Sequence, residues 1–149
     1  MILASFIHME TNKKSDMEIK FIYNSTQIKE REALGYAKSL DQHYINEIDL
    51  EKETLTERHW AEIATALKVE LKELIDENND YYQDELKGKD FDEQDLLQLI
   101  ASHPQIIKTP IIHSTRLTRF IKSPYDFNEM DLAFEEIKKH LANKGESDE

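Results

Sequence analysis

The stretch HPQIIKTPIIH, His103 to His113, decides how the rest of the sequence is read. Its first two residues, His103 and Pro104, end the helical pattern before them. From Gln105 to His113 the β-branched content predicts strand, but Pro110 interrupts the run. Proline has no N–H to give to a ladder, so Pro110 belongs at a strand start or at a sheet edge. Ser114, Thr115 and Arg116 then supply a turn, and Leu117 to Ile121 reads as the other strand of a hairpin that Ser123 and Pro124 end.

Further out, the pattern alternates between strand and helix periods. Glu18 to Tyr23 (EIKFIY) alternates polar and apolar residues and runs into Asn24, Ser25 and Thr26, which are turn and N-cap types. Gln27 to Leu40 keeps helical spacing through Ala33, Leu34 and Ala37, and His43 to Ile48 (HYINEI) alternates again before Asp49. Thr54 with Glu57 three residues on predicts a capping box, followed by a helix face of Trp60, Ile63, Ala64 and Leu67. A short helix is expected over Val69 to Ile75, and Asp92 should cap another that turns Leu96, Leu97 and Ile100 inward. Beyond the hairpin, Met130 to Leu141 predicts a closing helix. The order β-α-β, helices, β-β-α gives an α/β fold: the crossover sets parallel pairing and the hairpin antiparallel pairing. This is the order of a thioredoxin-like mixed sheet with a helical insertion at about residues 52–102.

Composition bounds the chemistry. The chain has 149 residues, 39% of them hydrophobic, enough for one domain with a real core. Residues 1–16 read as an N-terminal extension, 17–143 as the domain and 144–149 as a polar tail. Nineteen Lys and Arg against thirty-one Asp and Glu leave a net charge of −12, which repels nucleic-acid backbones and anionic membranes. No direct nucleic-acid or membrane binding is therefore expected. No run reaches the roughly 18 apolar residues of a spanning helix, and Met1 to Ile7 lacks a signal-like basic start, so a cytoplasmic setting is expected. There is no cysteine, which excludes disulfides, thiolate metal sites, iron–sulfur clusters and a thiol nucleophile of this chain's own.

Taken in order, the segments FIYNS (Phe21 to Ser25), KEREAL (Lys29 to Leu34), EIDL (Glu47 to Leu50), the aromatic-acidic connection and HPQIIKTPII (His103 to Ile112) resemble the arsenate reductase (ArsC) and Spx-like branch of the thioredoxin fold. The resemblance spans about Glu18 to Phe134 and implies a bacterial, glutaredoxin-related protein with Pro110 as a cis-proline. It also implies a thiolate at the N-terminus of the first helix, where N–H groups and the helix dipole lower its pKa and bind the anionic substrate. The matching residue here is Gln27, and an amide cannot attack arsenic or a disulfide. The arginines that hold the oxyanion in such reductases are matched by Thr109, by Ser123 and, in the insertion, by a position near Asp76. Only Arg31 and the prolines survive, and the Cys-x-x-Cys switch of Spx-like regulators is missing. The resemblance thus implies a redox-inactive binding or regulatory domain. The alternatives are a divergent, glutathione-dependent family enzyme borrowing a partner's thiol, and a transcription regulator that binds RNA polymerase.

The candidate groove or anion site comprises Asn24, Ser25, Thr26, Lys29, Arg31, Thr109, Pro110 and Lys122, around the degenerate position Gln27. From Leu96 through Tyr125 there is no acidic residue, while Lys108, Arg116, Arg119, Lys122, His103 and His113 all fall there. Such a face could receive a protein partner or a small anion, or it could be a hairpin whose charges blunt an edge strand. Strand alternation puts Arg116 and Lys122 on different faces. Ser25 and Thr26 lack a neighbouring base, so N-capping is their expected work. His59 and Glu62, one turn apart, have a spacing that can share a metal, but no further ligand pair accompanies them. Asp76, Asn78 and Asp80 imitate a calcium loop that Tyr81 and Lys87 break, and no metal or other cofactor is expected. Tyr81 and Tyr82 could be interface aromatics or packing at the edge of the insertion.

Overall fold

The computed structural model describes residues 18–40, 44–123 and 126. The expected extension at residues 1–16, the closing helix from Met130 to Leu141 and the tail lie outside them. Strand β1, Glu18–Tyr23, leads into helix α1, Ile28–Leu40, which crosses to strand β2, Tyr44–Asp49. β2 pairs parallel with β1 in the register Glu18 to Tyr44 through Tyr23 to Asp49. Helix α2 is Glu57–Leu67 and helix α3 is Glu93–Ser102, with a 3-10 turn at Leu71–Leu74 and a π-helical turn at Tyr82–Leu86 between them. After a second 3-10 turn, Pro104–Ile106, strand β3, Ile111–His113, runs antiparallel to β1, and strand β4, Thr118–Phe120, runs antiparallel to β3. The sheet order β2-β1-β3-β4 is the mixed α/β sheet that the element order predicts.

Alternation along the central strands builds a core on each face of the sheet. Ile19, Phe21 and Tyr23 of β1 and Ile112 of β3 pack with Ala33, Leu34 and Ala37 of α1. Ile22 and Ile111 point the other way, into a cluster with Trp60 and Ile63 of α2, Leu74, Ile100 and Ile106. Trp60, Phe21, Ile22, Ile111 and Ile112 are fully buried, and burial of each such side chain contributes about 1.5–3 kcal/mol or more. Leu96 and Leu97 are only half-buried at the rim of the second cluster, whereas Ile100 is wholly inside.

Three local expectations are corrected. The cap of α2 is Thr56, not Thr54: its hydroxyl accepts from the His59 N–H at 3.2 Å. The later start sets Leu55 and Trp60, both in one cluster, where a hydrophobic staple would hold them. The short helix shrinks to the 3-10 turn Leu71–Leu74, capped by Glu70. The apolar run from Gln105 to His113 is not one strand. Ile107 bridges Ile75, the Lys108 N–H donates to the Leu74 carbonyl at 2.7 Å, and the Asp76 N–H donates to the Ile106 carbonyl at 2.7 Å. The first half of the run therefore pairs with the insertion, and only Ile111–His113 is left for the main sheet.

Candidate functional site

The site forms where β1 gives way to α1 and meets the chain entering β3. The Thr109–Pro110 peptide bond is cis, as the resemblance implied, and the Pro110 carbonyl accepts from the Ile121 N–H at 2.9 Å. That bond joins the start of β3 to the chain leaving β4. Between these segments and α1 lies a cavity of about 810 Å³. Gln27, Lys29, Glu30, Glu32 and Ala33 line it from α1 and its start; Lys108, Thr109 and Pro110 form the facing wall, with Phe120, Ile121, Lys122 and Ser123 closing the side. Ile28, 64% exposed, stands in the first turn beside it.

Of the residues singled out from sequence, Gln27, Lys29, Thr109, Pro110 and Lys122 line this cavity. Asn24, Ser25, Thr26 and Arg31 do not. The first three build the loop behind it, and Arg31 is exposed on α1. Asp76 sits at the bridge between the insertion and Ile107, with its Oδ1 accepting from the Asn78 N–H at 3.0 Å. The basic stretch divides rather than forming one face. Lys108 and Lys122 reach the cavity, while Arg116 is exposed in the hairpin turn. His103 stacks on Tyr81 with ring centroids 4.8 Å apart, and its nitrogens meet the Tyr81 hydroxyl at 3.3 Å and the Ser102 hydroxyl at 3.0 Å. Tyr81 and Tyr82 pack against the insertion-side core.

His113 lies at the opposite end of the sheet, paired in register with Lys20, and lines a cavity of about 100 Å³ with Lys20, His59 and Glu62. Burial, Lys20 and His59 hold its imidazole below the usual histidine range despite Glu62, and its Nδ1 is 2.8 Å from the Thr118 hydroxyl. Among the described residues no three His, Cys, Asp or Glu side chains are placed to hold a metal ion.

The loop from Asn24 to Gln27 uses its own donors. The Asn24 N–H donates to Glu30 Oε1 at 2.9 Å, the Ser25 N–H to Asp49 Oδ1 at 3.2 Å, the Thr26 N–H to Asn24 Oδ1 at 2.9 Å and the Gln27 N–H to the Asn24 carbonyl at 3.1 Å. Thr26 also turns its hydroxyl back onto Asn24 Oδ1, at 2.6 Å, and the Ser25 hydroxyl goes to Asp49, so neither does the N-capping expected of it. Four consecutive N–H groups are thus satisfied, two by Asn24 within the loop and two by the carboxylates of Glu30 and Asp49 outside it.

Glu30 is the residue that the sequence reading passed over. It is half-buried, it bonds both Asn24 and the Thr109 side chain, and it lines the cavity. Burial pushes its carboxyl above the usual glutamate range; the bonds to Thr109 and Asn24 pull the other way and do not cancel it. Its sequence signal was an acid in the first helical turn, which ordinarily means only a favourable dipole contact. Asp49 shows the opposite balance. Burial opposes its ionisation, but the Ser25 hydroxyl, the N–H groups of Glu51 and Ser25, and Lys52 together hold it below the usual aspartate range.

Comparisons with known proteins place this geometry. In the solved structures, an arsenate reductase from Vibrio cholerae matches with a TM-score of 0.67 at 18% identity, covering 77% of this chain and 98% of its own. A Yersinia pestis protein assigned as an arsenate reductase matches with a TM-score of 0.67 at 19% identity, covering 74% of this chain and 98% of its own. An NMR structure from Staphylococcus aureus follows the same fold with a TM-score of 0.55 at 22% identity, covering 72% and 94%. No curated protein matches the sequence. At these identities the structures show the fold alone, but the ArsC family model matches residues 22–120, from the end of β1 through β4 and well over half of the sequence. The chain, cysteine-free as it is, belongs to the ArsC family.

Proposed function

We propose that this protein is a redox-inactive binding domain of the ArsC family, which holds a partner in the cleft beside Pro110 without thiol chemistry. One observation carries the reading: the position that resembles the family's nucleophile is Gln27, an amide that lines an open cleft in a chain without any cysteine. The partner is an acidic protein segment. Lys29, Lys108 and Lys122 line the cleft, and among the described residues the ion pairs are made by other cations, Lys38, Arg58 and Lys72. That local positive charge contrasts with a net charge of −12 for the whole chain and favours an oppositely charged partner. Pro110, Phe120, Ile121 and Ala33 supply apolar wall between the charges.

The test is an activity assay with arsenate and with a mixed disulfide, with glutathione, glutaredoxin and thioredoxin supplied in turn. No turnover above the protein-free blank is expected, and turnover by the purified chain refutes the reading. A second reading keeps a family enzyme that works on a partner's thiol. The openness of the cleft favours it, since a partner's side chain can reach Gln27; Arg31, exposed and outside the cleft, does not supply the clamp that reading needs. Capture of partners from a bacterial lysate by the full chain distinguishes the two and also tests the RNA polymerase reading: an acidic binder lost on Lys108→Ala and Lys122→Ala fits the binding domain.

A further inference from the structure

Several backbone donors around this cleft are taken by carboxylates of the same chain. Glu30 holds the Asn24 N–H, Asp49 holds that of Ser25, and across the cleft Asp126 Oδ2 accepts from the N–H groups of Lys122 at 2.7 Å and Ser123 at 3.1 Å. Of these three acids, Glu30 alone lines the cavity. Its carboxylate bonds the β1–α1 loop on one side and Thr109 on the other, so it spans the gap between the loop and the cis-proline wall.

We propose that Glu30 is an internal stand-in for an anion: while ionised it shuts the cleft to arsenate, phosphate and sulfate, and when neutral it admits them. The inference rests on the binding-cleft reading above but not on who the partner is. An acidic protein segment spreads its charge along the lysine rim, whereas a compact dianion has to sit beside Glu30. The charge facing Glu30 is mixed. Lys29 and Glu32 come from its own helix, Lys108 from the segment before β3, Lys122 from the segment after β4, and Asp49 from the end of β2 through Ser25. Burial makes Glu30 take up its proton before an ordinary surface glutamate does. Acidification therefore removes the half-buried charge of Glu30 and leaves the lysines of the rim.

Sulfate tests this, because it stays a dianion from pH 8 to pH 5 and only the protein changes its protonation. Titrations of the full chain are followed by calorimetry and by amide shifts of Thr109 and Lys122. At pH 7.5, Glu30→Gln should bind sulfate at least tenfold more tightly than the unmutated chain, which is about 1.4 kcal/mol. The gap should narrow at pH 5 as the unmutated chain gains affinity. Adding Lys122→Ala to Glu30→Gln should take most of the gain away. The proposal is overturned if the unmutated chain binds at pH 7.5 within twofold of Glu30→Gln, or if neither form binds. The unmutated chain at the two pH values is a second arm that needs no variant to fold, and unchanged affinity there also overturns it. Failure here leaves the binding-domain reading standing, since that reading falls only on thiol-exchange turnover.

Discussion

The carboxylate of Glu30 reaches back six residues to the backbone N–H of Asn24, at 2.9 Å, and joins the first turn of α1 to the first residue of the loop that precedes it. The same side chain bonds Thr109, ahead of the cis-proline. One acid thus links the two segments that form the cleft, and it does so with a charge that burial disfavours.

Replacing Glu30 separates its two effects. Glu30→Gln keeps an acceptor for Asn24 and removes the buried charge, whereas Glu30→Ala leaves the Asn24 N–H without its partner. The Ala variant should be less stable than the Gln variant by about 1–2 kcal/mol in urea titration, with faster hydrogen exchange at the Asn24 amide. The folded-state pKa is raised, so the penalty of ionisation acts above that pKa and fades below the ordinary value of 4.5. Any stability advantage of Gln over the unmutated chain at pH 7 should accordingly vanish in acid.

Gln27→Cys should not restore reductase activity. A helix N-terminus lowers a thiol's pKa, but Glu30 one turn on opposes a thiolate, and the loop N–H groups are already bonded. Alkylation rate against pH should give a thiol pKa near or above the ordinary value of about 8.5. Adding Glu30→Gln should lower it; a thiolate already formed at pH 6 in the single variant would contradict this electrostatic picture.

His113 predicts a loss of stability on mild acidification. Its folded-state pKa is depressed, so as pH falls through the ordinary value of 6.5 the unfolded chain takes up a proton that the folded chain refuses. Stability should fall from pH 7.5 to pH 5.5 in denaturant titrations, and His113→Asn should flatten that part of the profile. Lys20→Gln, which removes a positive neighbour, should flatten it in part.

Asp49 controls the lower limb. Its folded-state pKa is depressed, so its contribution is complete above the ordinary value of 3.8 and is lost as pH falls through the folded value. Asp49→Asn should destabilise the protein at pH 7 by about 1–3 kcal/mol, because it weakens charge-assisted bonds to Ser25 and Glu51 and buries an amide N–H at Oδ2, which has no partner among the described residues. The same substitution should shallow the loss of stability below pH 4, measured by thermal unfolding with Trp60 fluorescence; Trp60, wholly buried, reports on the insertion-side core.

What the sequence determined by itself was local or compositional. The alternation of Glu18–Tyr23 set β1 to the residue, the helical spacing after Gln27 set α1, Asp92 capped its helix, and the absence of cysteine removed the thiol at Gln27. Each depends on residues within a turn or two of one another, where period and capping chemistry act alone. Tertiary structure decided what depended on distant partners. The run before Pro110 looked like strand throughout, but its first half pairs with Leu74 to Asp76, about thirty residues away, and the sheet receives only the rest. The basic stretch, in which alternation already separated Arg116 from Lys122, was divided further by distant partners: His103 meets Tyr81 and His113 meets Lys20, leaving Lys108 and Lys122 at the cleft. Glu30, an ordinary first-turn acid in sequence, became the centre of the site because the fold brings Thr109 across to it and takes away part of the water that would otherwise hold its charge.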